Sequence, residues 1–184
     1  MFKLSKFREP LLEWLKGNSS VIRPSVRYNE VLSYLHAGDF GDLSISRPRA
    51  RLQWGIEVPD DPSHTIYVWM DALLNYLSYT GYPDDRNYLW PANTHVIGKD
   101  IIRFHAVYWP AILMALDLPL PKQILAHAHW TMGNFKMSKS RGNVVNPFQA
   151  LKDFTPDGVR FFLMSKGGLA SDSGKLSLTH LMRL

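Results

Sequence analysis

Thr94-His95-Val96-Ile97-Gly98-Lys99-Asp100-Ile101 is a short apolar run that ends on glycine and opens at once into a helix-like segment. Its alternation predicts a strand over residues 94–98, and the following period predicts a long helix over residues 101–116, closed by Asp117-Leu118-Pro119. Pro110 lies inside that helix and has no amide proton to donate, so a kink or a break is expected there. Ile124-Leu125-Ala126-His127-Ala128-His129-Trp130 follows as a further strand. Upstream, Thr65-Ile66-Tyr67-Val68-Trp69 is β-branched and aromatic throughout and predicts another strand. It feeds a helix over residues 71–77 that stops at Gly81-Tyr82-Pro83. Strand, helix, strand, helix, strand is the order of an α/β fold with a parallel sheet and crossover helices.

Toward the N-terminus the texture is different. Residues 6–16 have the period of an amphipathic helix with Phe7, Leu11, Trp14 and Leu15 on one face. A second helix is expected over residues 26–36, with Val31, Leu32 and Leu35 inward. Leu43-Ser44-Ile45-Ser46 and Trp54-Gly55-Ile56-Glu57-Val58 predict strands, and Pro59-Asp60-Asp61-Pro62 a turn. Arg47, Arg49 and Arg51 alternate along an extended segment, where they either line an anion site or form a solvated edge.

With 184 residues and 46% apolar composition, the chain can bury a substantial core. Its 21 Lys and Arg against 16 Asp and Glu give a net charge of +5, which suits an anionic partner without requiring one. There is no cysteine, which excludes disulfides, thiolate metal sites and a cysteine nucleophile, and suits a reducing compartment. No apolar run is long enough to span a membrane. Pro10 and the acidic residues of the first 17 positions argue against a signal or transit peptide.

In parallel sheets, ligands bind at the carboxyl ends of the strands. Those ends are residues 69–71, 98–100 and 129 onward. The last leads into Lys136-Met137-Ser138-Lys139-Ser140-Arg141-Gly142-Asn143. Three cations, two hydroxyls and a glycine here suit a polyphosphate, although a solvated basic loop has the same composition. The pattern lacks the glycine-rich form of a P-loop ending in Gly-Lys-Ser/Thr. At the first strand end, Trp69, Ala72 and Tyr76 can share a helix face. At the second, Ile101 and His105 stand one turn apart, with Asp100 heading the helix. Together they describe an apolar slot with one anion at its mouth, suited to a free amino acid with an apolar side chain. Core aromatics, an N-cap and a satisfied core histidine explain the same residues singly. His127 and His129 have no further ligand cluster beside them, so no zinc site is expected.

Residues 127–143 resemble the second signature of class I aminoacyl-tRNA synthetases, with Lys-Met-Ser-Lys-Ser complete. Tyr67-Val68-Trp69-Met70-Asp71-Ala72, Ile97-Gly98-Lys99-Asp100-Ile101 and Phe104-His105 resemble the methionyl-tRNA synthetases specifically. Gly81-Tyr82-Pro83 with Trp90-Pro91-Ala92 is similar in wording to the mitochondrial branch or a bacterial relative. The resemblance implies that residues 49–145 are the second half of a Rossmann-like catalytic domain. Residues 1–48 would be the end of a connective insertion, and residues 146–184 the start of a stem-contact region leading to the anticodon domain. Trp69, Ala72, Tyr76, Asp100, Ile101 and His105 would then line a methionine pocket. Lys136 and Lys139 would be the catalytic cations, binding ATP together with Ser138, His127 and Trp130. Leu73 departs from the proline that bacterial members often carry, which touches pocket shape.

The implied reaction is ATP-dependent activation of methionine and transfer to tRNA(Met), with Mg2+ accompanying ATP. The implied compartment is the mitochondrial matrix, or the cytoplasm for a bacterial source. No membrane partner is implied, and the oligomeric state is left open. The family's first signature, His-Ile-Gly-His, does not occur here. The resemblance therefore implies a partial chain without that signature or the anticodon domain, expected to be inactive alone. A non-catalytic methionine- or RNA-binding module and a nucleotidyltransferase of the same superfold stand as rival readings.

Overall fold

The computed structural model describes residues 1–84, 89–132 and 135–169. It forms two units, Met1–Leu125 and Ala126–Leu184. Gly133 of the lysine-loop run and residues 170–184 of the expected stem-contact region lie outside the described residues.

In the first unit a 3₁₀ turn, Leu4–Phe7, runs into α1 (Arg8–Gly17). α1 buries Leu11, Leu12 and Leu15, while Trp14 of the expected face is only half-buried. α2 (Ser25–His36) buries Val31 and Leu35 as its period requires. The Tyr28 hydroxyl ties the two helices by donating to the Leu15 carbonyl at 3.0 Å. Between them lies β1 (Ile22–Arg23), a strand that the sequence does not announce.

β1 pairs in parallel with β6 (Ile124–His127), Ile22 opposite Ile124 and Arg23 opposite Leu125. β5 (His95–Gly98) is the third member, in the order β1-β6-β5. β5 keeps the expected alternation, with His95 and Ile97 buried and Val96 exposed. The strand expected over residues 65–69 is not in this sheet. Thr65 and Ile66 end β4 (Asp61–Ile66), the middle of an antiparallel sheet ordered β2-β4-β3 with β2 (Ser46–Pro48) and β3 (Glu57–Val58). Alternation does not distinguish parallel from antiparallel partners, so the sequence alone could not place Thr65 and Ile66.

Val68 and Trp69 also depart from expectation. They open α3 (Val68–Tyr79), with Tyr67 extended just before it. Burial of Leu73 and Leu77 on α3 outweighs the β propensity of its first residues. The long helix expected over residues 101–116 is broken into three parts. A 3₁₀ turn, Lys99–Ile101, leads into a π-helical stretch, Phe104–Tyr108, which gives way to α4 (Trp109–Ala115). The π turn ends two residues before Pro110, whose missing N–H leaves the preceding helical hydrogen bonds to rearrange. Leu73, Leu77, Trp90, Trp109, Ile112 and Leu113 form the cluster that joins α3 and α4.

The three alternating arginines do not converge. Arg47 donates to the Ser46 carbonyl at 2.8 Å and stacks 4.1 Å over the Tyr67 ring. Arg49 pairs with Glu57 at 2.6 Å in the open. They make a solvated edge rather than an anion site.

The expected strand over residues 124–130 ends at His127. β7 (Thr131–Met132) and β8 (Phe135–Lys136) then pair antiparallel. Two helices follow, each opened by a capping side chain and a proline. Asn146 accepts from the amide of Phe148 at 2.9 Å at the head of α5 (Pro147–Phe154). Thr155 accepts from Gly158 at 3.4 Å at the head of α6 (Pro156–Lys166). Proline at the first helical position loses nothing, because that amide has no intrahelical partner.

Candidate active site

One face of α3 carries Trp69, Ala72, Leu73 and Tyr76, at the i, i+3, i+4, i+7 spacing that brings side chains together. Opposite them, Ile101 comes from the 3₁₀ turn after β5, and Phe104 and His105 from the π-helical stretch. These seven side chains line an open cavity of about 320 Å3. The fold thus unites five of the six residues expected to form an apolar slot. The sixth, Asp100, sits exposed in the turn that delivers Ile101 and is not part of the lining. Leu73, expected only to touch the pocket's shape, belongs to the lining, and so does Phe104, which was not expected there. Their positions, one after Ala72 and three after Ile101, are the helical neighbours that a stricter reading of the period would have included.

The aromatic wall is continuous. The Trp69 ring lies 5.7 Å from Phe104 and 5.6 Å from Tyr108. Burial pushes the Tyr108 phenol up to about 12, helped by a hydrogen bond with Tyr34. Within the cavity there is one internal polar pair, Tyr76 Oη and His105 Nε2, 2.8 Å apart. His105 Nδ1 lies 3.1 Å from the Ile101 carbonyl, which can only accept. Nδ1 therefore carries the proton, Nε2 accepts, and Tyr76 donates. Burial holds the His105 pKa below the ordinary histidine value, which keeps this tautomer neutral. Burial likewise raises the Tyr76 phenol.

Behind Tyr76 stands His95, which sequence reading left unassigned. Its ring centroid is 4.6 Å from that of Tyr76. Trp109 Nε1 donates to His95 Nε2 at 3.3 Å. A larger recess of about 440 Å3 borders Leu52, Trp54, Ile56 and Val68. Asp71 is its one ionisable carboxylate, and no sequence-predicted site residue lines it. The convergent polar chemistry is at the smaller cavity.

In the second unit the lysine loop is built around Asn143. The Ser138 amide donates to Asn143 Oδ1 at 2.9 Å, and Asn143 Nδ2 donates to the Lys136 carbonyl at 3.3 Å. Lys136 ends β8, and Lys139 opens a 3₁₀ turn, Lys139–Arg141, closed by Gly142 in the left-handed conformation at φ 65°. Both lysines are exposed. Ser138 and Ser140 hydroxyls lie 3.3 Å apart, and Arg141 leans on the Phe135 ring at 5.4 Å. The loop offers cations and hydroxyls outward while its backbone is tied by one amide side chain. His127 Nδ1 donates to the Ala128 carbonyl at 2.8 Å. Trp130 stacks on Phe162 at 5.6 Å, so one face of its ring is already packed. Among the described residues, no group of three or more His, Cys, Asp or Glu side chains is placed to hold a metal ion.

The sequence profile of "tRNA synthetases class I (M)" matches residues 1–183. A probable mitochondrial methionine–tRNA ligase of Neurospora crassa is 55% identical over 177 residues, covering 94% of this chain and 28% of that protein. The methionine–tRNA ligase of Rickettsia bellii is 52% identical over 174 residues, covering 93% of this chain and 34% of that protein. The solved structure of Mycobacterium tuberculosis methionyl-tRNA synthetase in complex with methionyl-adenylate superposes with a TM-score of 0.90 at 43% identity, covering 98% of this chain and 35% of that one. The chain therefore spans about a third of the length of the relatives it matches.

Proposed function

We propose that this chain, which belongs to the class I tRNA synthetases (M), supplies the methionine pocket and the ATP loop of a methionine–tRNA ligase. The observation that carries the reading is the Tyr76–His105 pair set in an otherwise apolar cavity. A cavity of about 320 Å3 lies at the small end of ligand sites, which suits a single amino acid. Trp69, Phe104 and Tyr76 offer aromatic surface to a thioether, a polarizable group that gains from such contacts. Ala72 leaves room, and Ile101 and the buried Leu73 add apolar lining. Asp100, exposed beside the cavity, is proposed to meet the methionine ammonium. That the Mycobacterium relative was solved in complex with methionyl-adenylate supports the same assignment here.

The reaction is proposed as in-line attack of a methionine carboxylate oxygen on the α-phosphorus of ATP. The bond to the β-phosphate breaks, pyrophosphate leaves, and methionyl-adenylate forms. The 3′-terminal hydroxyl of tRNA(Met) then attacks the methionyl carbonyl and AMP leaves. Lys136 and Lys139 would stabilise the charge developing on the pyrophosphate, Ser138 would donate to phosphate oxygens, and His127 and Trp130 would lie beside the adenosine. Little covalent chemistry falls to the protein, and positioning and charge stabilisation suffice. Mg2+ enters with ATP as part of the substrate, held by its phosphates.

Residues 1–48, 49–145 and 146–184 are proposed as connective insertion, catalytic half-domain and stem-contact region. Mitochondrial relatives at 50–55% identity favour the mitochondrial matrix, and the Rickettsia relative keeps a bacterial cytoplasm as the alternative. Amino-acid-dependent ATP–pyrophosphate exchange by the complete gene product tests the reading. Exchange with methionine is expected, and exchange with another amino acid but not methionine would overturn it.

A further inference from the structure

Tyr76 is shared by two cavities. One is the proposed methionine pocket. The other, of about 220 Å3, is bordered by Tyr79, Thr80, Leu89, Trp90 and His95. A ring that borders two voids has room to turn, and turning it would carry its hydroxyl away from His105. The ring contacts that oppose the motion are His105 at 5.6 Å, Trp109 at 5.9 Å and, nearest, His95 at 4.6 Å.

Three contacts hold His95 in place. Its backbone amide donates to the Gln123 carbonyl at 2.9 Å, so the start of β5 is tied to the segment leading into β6. Its Nε2 accepts from the indole of Trp109, which is fully buried and needs an acceptor. Its ring lies 6.1 Å from Trp90, which in turn stacks edge-on with Trp109 at 5.6 Å. The anchored imidazole packs on Tyr76 at 4.6 Å, closer than any other aromatic pair in the described residues, and meets the His105 ring edge-on at 5.9 Å.

We infer that His95 is a positioning residue for methionine selection: it fixes the Tyr76 ring so that the hydroxyl reaches His105 and the pocket keeps one shape. The inference rests on the methionine-pocket reading above. It assigns His95 no contact with substrate. His95 acts through Tyr76, so its loss should disturb methionine binding and leave the phosphate chemistry of the lysine loop unchanged.

The test is methionine-dependent pyrophosphate exchange by the complete gene product, comparing the parent with His95→Ala, His95→Phe and His95→Gln. Phenylalanine keeps a ring against Tyr76 but leaves Trp109 without an acceptor. Glutamine keeps an acceptor but no ring. For His95→Ala, KM for methionine should rise about tenfold or more, with KM for ATP and kcat within about twofold, the pattern of lost substrate binding rather than lost chemistry. His95→Phe should recover most of the methionine KM, because the ring contact is what holds Tyr76. If His95→Ala does not yield folded protein, the contrast between His95→Phe and His95→Gln decides, with the glutamine variant expected to have the higher methionine KM. Unchanged methionine KM in both, or proportional changes in the KM values for methionine and ATP, overturns the inference alone. A parent enzyme that exchanges without any dependence on methionine overturns the pocket reading and the inference with it.

Discussion

The hydroxyl of Tyr76, on α3, donates to Nε2 of His105, on the π-helical stretch, across 2.8 Å and 29 residues of sequence. The pair joins the two walls of the cavity. Tyr76→Phe would leave a buried imidazole nitrogen unpaired, at a cost of about 1–2 kcal/mol. We expect the methionine KM in pyrophosphate exchange to rise about tenfold, with a smaller change in kcat. An unchanged methionine KM would remove the hydroxyl from the pocket.

His95 and His105 are both held neutral by burial. The His95 pKa lies at about 4, lowered from 6.5 by burial first and by His105 second. His105 is shifted in the same direction by burial. Between 6.5 and 4 the unfolded chain takes up the proton on His95 and the folded one does not. The stabilisation is therefore complete above 6.5 and is lost as pH falls toward 4, by about 3 kcal/mol for His95. Urea titrations of the chain from pH 7 to pH 4 should show this decline, and His95→Gln should flatten it.

Lys139 heads an exposed turn and is proposed to meet the phosphates of ATP. Lys139→Ala should slow adenylate formation about 10²-fold or more and affect methionine affinity less, as for loss of a group that acts on transition-state charge. Single-turnover exchange on the complete gene product distinguishes this from a lysine that serves solubility alone, whose removal would leave the rate unchanged.

Gly167 closes α6, where a Cβ would stand 2.5 Å from the Leu163 carbonyl oxygen and 3.4 Å from Trp130 Cζ2. The first neighbour is backbone and the second is a ring already stacked on Phe162, so neither yields easily. Gly167→Ala should lower stability by about 1–3 kcal/mol, in the range of overpacking. Unfolding midpoints of the two chains compare it directly.

Leu77 is fully buried between α3 and α4 in the cluster with Trp109 and Leu113. Leu77→Ala should cost about 2–5 kcal/mol through lost transfer energy and the cavity left behind. A loss well below 1 kcal/mol would mean that the cluster collapses around the smaller side chain, with Tyr76 expected to shift toward it.

Much of this was legible along the chain. The spacing of Trp69, Ala72 and Tyr76 put them on one face, because side chains three, four and seven apart meet on a helix, although the helix was expected only over residues 71–77 and begins at Val68. Ile101 and His105 followed by the same rule, even though Ile101 ends a 3₁₀ turn and His105 lies in a π-helical stretch. The lysine loop declared itself by residue type. Asp100 heads the turn that delivers Ile101, as its position announced, whereas its distance from the cavity could not be read from the sequence.

The sequence by itself determined the family, the helical faces and five of the seven side chains that line the cavity, since these depend on local period and on a contiguous signature. Tertiary structure alone decided the rest. β1 has two residues and therefore no period to read, so its pairing with β6 exists only as a contact between distant segments. The tautomer of His105 follows from which acceptor lies within reach, and the anchoring of Tyr76 by His95 and Trp109 follows from packing across three elements. Hydrogen bonds and ring contacts between residues far apart in sequence depend on distance and orientation, and these come into being only when the chain is folded.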